Sequence, residues 1–280
     1  MPIKVDSLCH TYHPGTPLET VALSGVNLVV EPGTWVTVVG QTGSGKSTLA
    51  QHLNALLVPT SGSVSVDGVL TTTEPMKLRS LRRKVGLVFQ YPEHQLFAEN
   101  VFEEMAFGPK NWKFSESETR DAVARTMALL GLPEELLSRS PFHLSGGQKR
   151  RLCIASVLAS RPDYLVLDEP TAGMDATGRR ELLGTLKNLV KEEIGLVHIT
   201  HDLELALGMA DRVLVLEKGK TVFWGTPASL MDELLDRQIL GLRLPPLLEV
   251  VSGLREYGFP VPFTLDPEKL ADALAGEMAS

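Results

Sequence analysis

Residues 40–47, GQTGSGKS, have the residue types and the spacing of a phosphate-binding loop, G-x-x-x-x-G-K-[ST]. The loop follows an apolar run, Trp35 to Val39, and precedes leucines at helical spacing that extend to Pro59. Glycines let successive backbone N–H groups point at phosphate oxygens, and the helix start adds a favourable dipole. In such a loop Lys46 reaches the β- and γ-phosphates, and the Ser47 hydroxyl ligates Mg²⁺. The alternative, a chance glycine-rich turn, is disfavoured because the strand, the helix and the Lys-Ser pair are all in place.

A second apolar run, residues 164–168 (YLVLD), ends in Asp168, and Glu169 follows directly, so that two carboxylates are adjacent. A buried strand delivers Asp168 to its end, where a carboxylate can hold Mg²⁺ through water. Glu169 is one residue further and can polarise an attacking water as general base. The alternative is a solvated turn, which a neighbouring phosphate loop makes the weaker interpretation.

The segment LSGGQKRR, residues 144–151, narrows the class of ATPase. Ser145 and two glycines at a helix start predict an anion-binding helix N-terminus. LSGGQ is the signature of ABC-transporter ATPases, and the chain resembles that family from about residue 3 to 228. The resemblance implies that this motif contacts the γ-phosphate bound to the opposite subunit, so that two chains enclose two ATPs. We interpret Lys149, Arg150 and Arg151 as a solvated helix face rather than as phosphate ligands.

The resemblance implies further roles in the family's order along the chain. Tyr12 is similar to the aromatic residue that stacks on adenine, whereas a lone tyrosine would otherwise be assigned to packing. Gln90, after the apolar run 85–89, resembles the glutamine that senses Mg²⁺ and the attacking water. His201 resembles the histidine that contacts the γ-phosphate. Residues 172–175, AGMD, resemble the loop that crosses the dimer interface, with methionine where many members have leucine.

The expected site combines the phosphate loop, the signature and these single residues. The expected nucleotide-binding residues are Tyr12, Gly40, Gln41, Thr42, Gly43, Ser44, Gly45, Lys46, Ser47, Thr48, Ser145, Gly146, Gly147 and Gln148. The expected catalytic residues are Glu169, His201 and Gln90, and the expected Mg²⁺ ligands are Ser47, Gln90 and Asp168. Because no catalytic position departs from the family pattern, the resemblance implies hydrolysis of ATP rather than binding alone.

Two segments after Gln90, residues 91–97 (YPEHQLF) and 101–109 (VFEEMAFGP), are similar to the energy-coupling factor transporters, which import vitamins and cobalt or nickel. Residues 12–17, YHPGTP, resemble the second of the two ATPase paralogues of these systems. The resemblance implies that residues 91–97 lie on a groove that receives a coupling helix of the membrane subunit. Its apolar contacts would be Leu96 and Phe97, and its Glu93 would meet a basic residue. The alternative is that Leu96 and Phe97 are ordinary core residues.

Apolar strands that alternate with helices predict an α/β fold with a mostly parallel sheet and its ligands at the carboxyl ends of the strands. N-terminal hairpins predict an antiparallel sheet beside it, and Ser115 to Glu118 form a capping box that opens a helix closing near Gly131. The expected fold is therefore a RecA-like P-loop ATPase core with an antiparallel β subdomain, a helical signature subdomain and a small C-terminal helical tail. We expect an ATPase domain over residues 1–230, with the helical subdomain at about 90–160, and an appendage over 231–280.

Within the expected appendage, an apolar helical stripe follows the Pro245-Pro246 break. The stripe consists of Leu247, Val250, Val251, Leu254 and Tyr257. Asp266-Pro267 is expected to cap a last short helix. Two interpretations stay open: a packing face for a partner subunit, including dimerisation, or a helix folded back on its own domain.

Composition limits which partners and which cellular location the chain is expected to have. The 27 Lys and Arg against 34 Asp and Glu give a net charge of −7, which argues against broad nucleic-acid binding. Cys9 and Cys153 are far apart and are interpreted as free thiols. No run reaches the roughly 18 to 20 apolar residues of a spanning helix. Asp6 and Pro14 interrupt any signal-peptide pattern. We therefore expect a cytosolic or peripheral chain that reaches a membrane only through a partner.

The expected function is that of an ATP-hydrolysing subunit on the cytoplasmic face of the cell membrane, where it powers an importer of the energy-coupling factor type. The partners implied by the resemblance are a second ABC ATPase chain (a paralogue or another copy), a membrane-embedded coupling subunit and a substrate-binding membrane subunit. The alternatives are an ATPase of another ABC importer or exporter, a non-transport ABC ATPase and an ATP-binding regulatory module.

Overall fold

Two sheets form the framework of the computed structural model, which describes residues 1–72, 74–236, 242 and 244–278. Within these residues the strands are β1 (Ile3–Tyr12), β2 (Thr20–Val30), β3 (Trp35–Val39), β4 (Ser61–Val66), β5 (Val69–Leu70), β6 (Val85–Val88), β7 (Tyr164–Asp168), β8 (Gly195–Thr200), β9 (Arg212–Glu217) and β10 (Lys220–Gly225). The antiparallel sheet has the order β2-β1-β4-β5, and the larger sheet has the order β10-β9-β3-β8-β7-β6. In the larger sheet β9, β3, β8, β7 and β6 are parallel, and β10 is an antiparallel edge strand. The predicted pair of sheets is thereby confirmed.

The helices fill the crossovers between the parallel strands and form the C-terminal region. They are α1 (Lys46–Leu53), α2 (Pro75–Lys84), α3 (Val101–Asn111), α4 (Glu116–Leu129), α5 (Gly146–Leu158), α6 (Ala176–Lys191), α7 (Leu203–Met209), α8 (Pro227–Asp236), α9 (Pro246–Glu256) and α10 (Pro267–Met278). The predicted capping box of α4 is present, since the Ser115 hydroxyl accepts from the Glu118 N–H and the Glu118 carboxylate accepts from the Ser115 N–H. The extension of α1 to Pro59 is wrong: the helix ends at Leu53, and Ala55 has a φ of 56°.

The central parallel strands are buried on both faces, as their continuous apolar runs require. Leu165 and Leu167 of β7 point into a core that includes residues of α3, α4, α5 and α6. Val166 points to the opposite face, into a core shared with α1 and the antiparallel sheet. The sheet is therefore fixed from both sides, which holds the loops at its edge in place.

The carboxyl ends of β3, β6, β7 and β8 lie at one edge of the larger sheet because these strands are parallel. The phosphate loop follows β3, Gln90 is the second residue after β6, and Glu169 and His201 directly follow β7 and β8. Since β8 lies between β3 and β7, the loop and the carboxylates flank His201. The topology thus gathers residues that are more than 150 positions apart in the sequence.

The two C-terminal helices match the predicted tail, although residues 237–241, 243, 279 and 280 of the expected appendage lie outside the described residues. Asp266 accepts from the N–H groups of Glu268 and Lys269, as a capping residue of α10 does. The apolar stripe of α9 divides between two environments. Leu248 and Val251 are buried, the first against the ATPase core, whereas Val250 and Tyr257 are 54% and 86% exposed. One side of α9 is therefore folded back on its own chain, and the other side remains exposed.

None of the helices that the structure describes is long and apolar enough to cross a membrane.

Candidate functional site

The phosphate loop joins β3 to α1 through backbone conformations that favour glycine. Gly45 has a φ of 100°, and a Cβ atom there would lie 2.6 Å from the carbonyl oxygen of Ala22. At Gly40 a Cβ atom would lie 2.3 Å from the carbonyl oxygen of Leu216. Neither contact is sterically possible, so the glycines are required by close backbone approach as well as by the turn. The sequence prediction of a strand, this loop and a helix is confirmed.

Lys46 is folded over the loop that precedes it. Its Nζ atom donates to the carbonyl oxygens of Gly40 and Gln41 at 2.7 and 2.8 Å. Burial lowers the pKa of Lys46, and the carboxylates of Glu169 and Asp168 oppose that shift. A partly desolvated ammonium beside the loop is suited to bind phosphate oxygens, because its attraction is screened less than in water.

A hydroxyl and a carboxylate meet at the start of α1. The Ser47 hydroxyl donates to Oδ2 of Asp168 at 2.6 Å, although the two residues are 121 positions apart. Asp168 is buried, and burial raises its pKa against the opposing hydrogen bond from Ser47. Two oxygen ligands of this kind suit Mg²⁺, which prefers hard oxygen donors, so the residues fit the expected ion.

Glu169 and His201 form a hydrogen-bonded pair. Oε1 of Glu169 accepts the backbone N–H of His201 at 2.9 Å and lies 2.7 Å from its Nδ1 atom. The Glu169 side chain is 11% exposed, whereas that of His201 is 78% exposed. Glu169 also has a φ of 50°, in the left-handed region that a residue other than glycine seldom adopts. The Glu169 carboxylate is therefore buried on a residue with strained backbone conformation, whereas the His201 imidazole is accessible.

The predicted residues line one cavity of about 570 Å³ at the carboxyl edge of the sheet. Those that contribute to it are Tyr12, Thr42, Gly43, Gly45, Lys46, Ser47, Thr48, Gln90, Asp168, Glu169 and His201. The Tyr12 hydroxyl lies 3.2 Å from Oγ1 of Thr48, so the tyrosine is tied to α1. Thr20 and Val21 of β2 also line the cavity, and no motif in the sequence marked them.

Three expected loop residues do not line that cavity. Gly40, Gln41 and Ser44 lie on the other side of the loop, where they line a smaller cavity of about 70 Å³. Ser44 is buried, whereas Gln41 is exposed. These residues shape the loop, and their contribution to nucleotide binding would come through its backbone.

The signature lies outside this cavity. Ser145 caps α5: its hydroxyl accepts from the Gln148 backbone N–H at 3.3 Å, and the side-chain Oε1 atom of Gln148 accepts from the Ser145 N–H at 3.0 Å. Gly146 and Gly147 form the first two positions of that helix, and Ser145 and Gly146 are exposed. The predicted helix N-terminus is confirmed, and the same chain does not bring it to Lys46 or Glu169.

The interpretation of the cations after the signature is wrong for Arg150. This residue is only 4% exposed, and its guanidinium pairs with Glu93. Glu93 thereby has a basic partner within its own chain, and its contact with a basic residue of a membrane partner stays a prediction. Arg151 instead pairs with Glu181 at 3.3 Å, with 24% of its side chain exposed. Sequence periodicity could not identify the buried pair because its members are 57 positions apart.

The two apolar residues Leu96 and Phe97 of the segment 91–97 were predicted to be either groove contacts or core residues, and the structure places them differently. Leu96 is 7% exposed and belongs to the core that includes α3 and α5. Phe97 is 59% exposed and packs edge-on against Phe107 of α3, itself 51% exposed. Leu96 is therefore a core residue, and Phe97 remains an accessible apolar side chain.

A P-loop ATPase fold with a separate signature helix defines the class of protein, an ATP-binding cassette ATPase. The family "ABC transporter" matches residues 23–172. The energy-coupling factor transporter ATP-binding protein EcfA2 of Caldanaerobacter subterraneus subsp. tengcongensis is 43% identical over 263 residues, which cover 94% of this chain and 92% of that protein.

Solved structures agree with the sequence comparison. The cbiO1 protein from Clostridium perfringens, part of the ABC transporter complex cbiONQ, is 34% identical with a TM-score of 0.75, covering 91% of this chain and 98% of that one. A dimeric post-hydrolysis ATP-binding cassette bound to ADP and phosphate is 29% identical with a TM-score of 0.72, covering 80% and 98%. The chain belongs to the ABC transporter ATPases and, within them, to the energy-coupling factor transporter ATP-binding proteins. It is an ATP-hydrolysing enzyme.

Proposed function

We propose that this chain powers an energy-coupling factor importer, with ATP hydrolysed in the cavity that Lys46, Ser47, Asp168, Glu169 and His201 share. The observation that carries the proposal is this convergence at the carboxyl edge of the sheet, because each residue type has a distinct task in phosphoryl transfer. The relatives named above supply the transport context.

Each residue has a role that follows from its position. Lys46 binds the β- and γ-phosphates, and Ser47 with Asp168 and Gln90 would hold Mg²⁺, which neutralises charge on phosphate oxygens when bound. Glu169 accepts a proton from the attacking water as general base. His201, hydrogen-bonded to Glu169 and mostly exposed, contacts the γ-phosphate. The ring of Tyr12 stacks on the adenine, and its hydroxyl is fixed by Thr48.

A second ATPase chain completes the site. The exposed N-terminus of α5, with Ser145, Gly146, Gly147 and Gln148, is preorganised by its capping box but lies outside its own chain's cavity. A helix N-terminus of this kind binds anions, so it is suited to the γ-phosphate of a neighbouring chain. The exposed side of α9 at Val250, with Tyr257 directly after the helix, would add a contact between the chains in the tail. On this proposal the ATPase domain ends near residue 230, and residues 231–280 form the tail.

The membrane partner docks on a different surface, the coupling groove, which we define by a cavity of about 390 Å³ between the segment 91–97, β6 and α3. Its lining includes Phe89, Phe97, Phe107 and Trp112, of which Phe97 and Phe107 are exposed aromatics. An apolar groove of this shape fits a partner helix. ATP-driven closure of two chains would then be passed to the membrane subunits, provided that the γ-phosphate contacts favour the closed state by a few kcal/mol.

Affinity purification of the tagged chain from native membranes tests the proposal. A second ABC ATPase and multi-spanning membrane subunits should co-purify, as expected of a chain that is bound through these partners to the cytoplasmic face of the cell membrane. Phe97→Asp should reduce recovery of the membrane subunits because it puts a charge into the groove. Val222→Asp, at a 42% exposed position on β10 outside the groove, is the matched control. Recovery of the wild-type chain without membrane subunits would contradict the importer assignment.

A further inference from the structure

Arg150 of α5 is a buried cation with no place in the nucleotide cavity. Its side chain is 5% exposed, and it does not line the cavity that contains Lys46 and Glu169. Burial of an arginine costs free energy unless its donors are paired, so the partners of this side chain show why it is tolerated.

The guanidinium joins three separate segments of the chain. Nη2 donates to both carboxylate oxygens of Glu93, each at 3.2 Å. Nη1 donates to the carbonyl oxygen of Ala172 at 2.6 Å and to that of Glu169 at 3.2 Å. One side chain therefore links α5 with the segment that follows Gln90, with the residue after β7 and with the loop 172–175.

The pair with Glu93 is ionised at neutral pH. Burial by itself would raise the pKa of Glu93, but hydrogen bonds from its own backbone and from the Arg150 guanidinium outweigh that effect, so the pKa is lowered. A carboxylate that accepts two hydrogen bonds from one guanidinium has a fixed orientation. The position of Glu93 and that of Arg150 are therefore coupled.

The contact with Glu169 acts on its backbone rather than on its carboxylate. Glu169 has a φ of 50°, which its environment must enforce. Its N–H donates to the carbonyl oxygen of Ile199 at 2.9 Å, and its carbonyl oxygen accepts from Arg150 and from the Ala172 N–H, both at 3.2 Å. The peptide groups on both sides of the residue are thus held. The direction of the carboxylate toward the cavity depends on this conformation.

We propose that Arg150 is a positioning residue for ATP hydrolysis, which fixes the backbone of Glu169 and links it to the Glu93 segment on the edge of the coupling groove. A shift of Glu93 would move the guanidinium, and with it the carbonyl groups of Glu169 and Ala172. This inference rests on the proposed role of Glu169 as general base. It adds a physical connection between the surface offered to a membrane partner and the reacting centre.

The first test compares Arg150→Met, Arg150→Lys and the control Arg151→Met in the full chain. Arg150→Met should lower the hydrolysis rate by about 10-fold or more, since small displacements of a catalytic group are costly. The dissociation constant for ATP should stay within about 2-fold because Arg150 does not line the cavity. Arg150→Lys should be intermediate, since one ammonium cannot reproduce the planar fork. Arg151→Met, which loses only the pair with Glu181, should hydrolyse ATP at the parental rate.

The second test is a double-mutant cycle with Glu169→Gln, read as single-turnover hydrolysis, with melting temperature as the measure of folding. If Arg150 acts through Glu169, Arg150→Met should cause no further loss in the Glu169→Gln chain. An equal fold-loss in both backgrounds would overturn the positioning role, as would parental hydrolysis by Arg150→Met. If Arg150→Met does not fold, Arg150→Lys takes its place in the same cycle. Near-parental hydrolysis by Glu169→Gln alone would instead overturn the proposed base.

The link to the Glu93 segment has its own variant. Glu93→Gln keeps one acceptor oxygen but removes the charge, so it should cause a smaller loss of hydrolysis than Arg150→Met. That loss should disappear in the Arg150→Met background, because the amide then has no guanidinium to position. Unchanged hydrolysis by Glu93→Gln would overturn the link while leaving the contact between Arg150 and Glu169 intact.

Discussion

Replacement of Ser145 by arginine tests whether the signature completes the site of a neighbouring chain. The variant places a bulky cation at the exposed N-terminus of α5, where the neighbour's γ-phosphate should dock. Its own phosphate loop stays intact, so the chain should still bind ATP as a monomer. What should be lost is ATP-dependent dimerisation, best observed in the Glu169→Gln background, where hydrolysis is too slow to reopen the pair.

The magnitude follows from the hydrogen bonds that the helix N-terminus offers. A hydrogen bond to a charged group contributes about 1.5–3 kcal/mol. Two such sites in a symmetric dimer give about 3–6 kcal/mol, or roughly 10²- to 10⁴-fold in the dimer dissociation constant. Ser145→Arg also removes the helix cap, at a cost of about 1 kcal/mol in stability. Ser145→Thr is the matched control because threonine preserves the cap.

Sedimentation with ATP and Mg²⁺ measures the effect on Ser145→Arg, Glu169→Gln against the Glu169→Gln parent. If the Glu169→Gln parent does not dimerise with itself, the parent and the Ser145→Arg, Glu169→Gln chain are each mixed with the second ATPase of the transporter. Ser145→Thr should dimerise within about 10-fold of the parent, a difference of no more than about 1.4 kcal/mol. A Ser145→Arg dimer as tight as that of the parent would refute the idea that residues 144–148 act across the interface.

Three further predictions concern binding and stability. Lys46→Ala should weaken ATP binding itself, by about 10-fold or more in a fluorescence titration, because it removes a charged hydrogen-bond donor to phosphate; wild-type affinity would contradict the loop assignment. Asp168→Asn should raise the melting temperature of the nucleotide-free chain at neutral pH, because burial raises the pKa of Asp168 and its ionised form destabilises the folded chain. The difference in melting temperature between variant and parent should vanish below about pH 4, where Asp168 is protonated in the unfolded chain as well. Acid should destabilise the chain below about pH 6.5, because burial lowers the pKa of His52 to about 4 and that of His198 to about 3. As the pH falls from 6.5 to 4, these histidines are protonated mainly in the unfolded state. His52 alone therefore lowers the free energy of unfolding by up to about 3 kcal/mol at pH 4. Urea titrations from pH 7 to 4 that give a constant free energy of unfolding would count against neutral buried histidines.

Local patterns predicted most of the fold. The apolar runs of β3, β7 and β8 were evident because strands of a parallel sheet are buried on both faces. The capping box at Ser115 was evident because its two hydrogen bonds join residues only three positions apart. The end of α1 was not evident from the sequence, because the leucines beyond Leu53 continue the helical spacing although Ala55 has a positive φ. Periodicity reports which residues are apolar, and not where the backbone leaves the helix.

The site was predictable where a motif specifies its chemistry and less so where distant segments meet. Lys46, Ser47 and Glu169 were identified from their spacing, and the parallel topology explains why they share a cavity. The burial of Arg150 was missed because a charged residue after a helix N-terminus is usually solvated. Its partner Glu93 lies in another segment, and no sequence pattern joins the two. Long-range pairing of charges is decided by tertiary packing, which one sequence does not display.

The most direct test of the central claim is single-turnover hydrolysis by the Glu169→Gln chain, with ATP affinity measured on the same sample. The amide keeps the shape of the side chain and removes the negative charge beside His201. We expect hydrolysis to fall by about 10²-fold or more while ATP binding is retained, as loss of a general base requires. Hydrolysis at a near-parental rate with normal binding would contradict the account, because another residue would then activate the water.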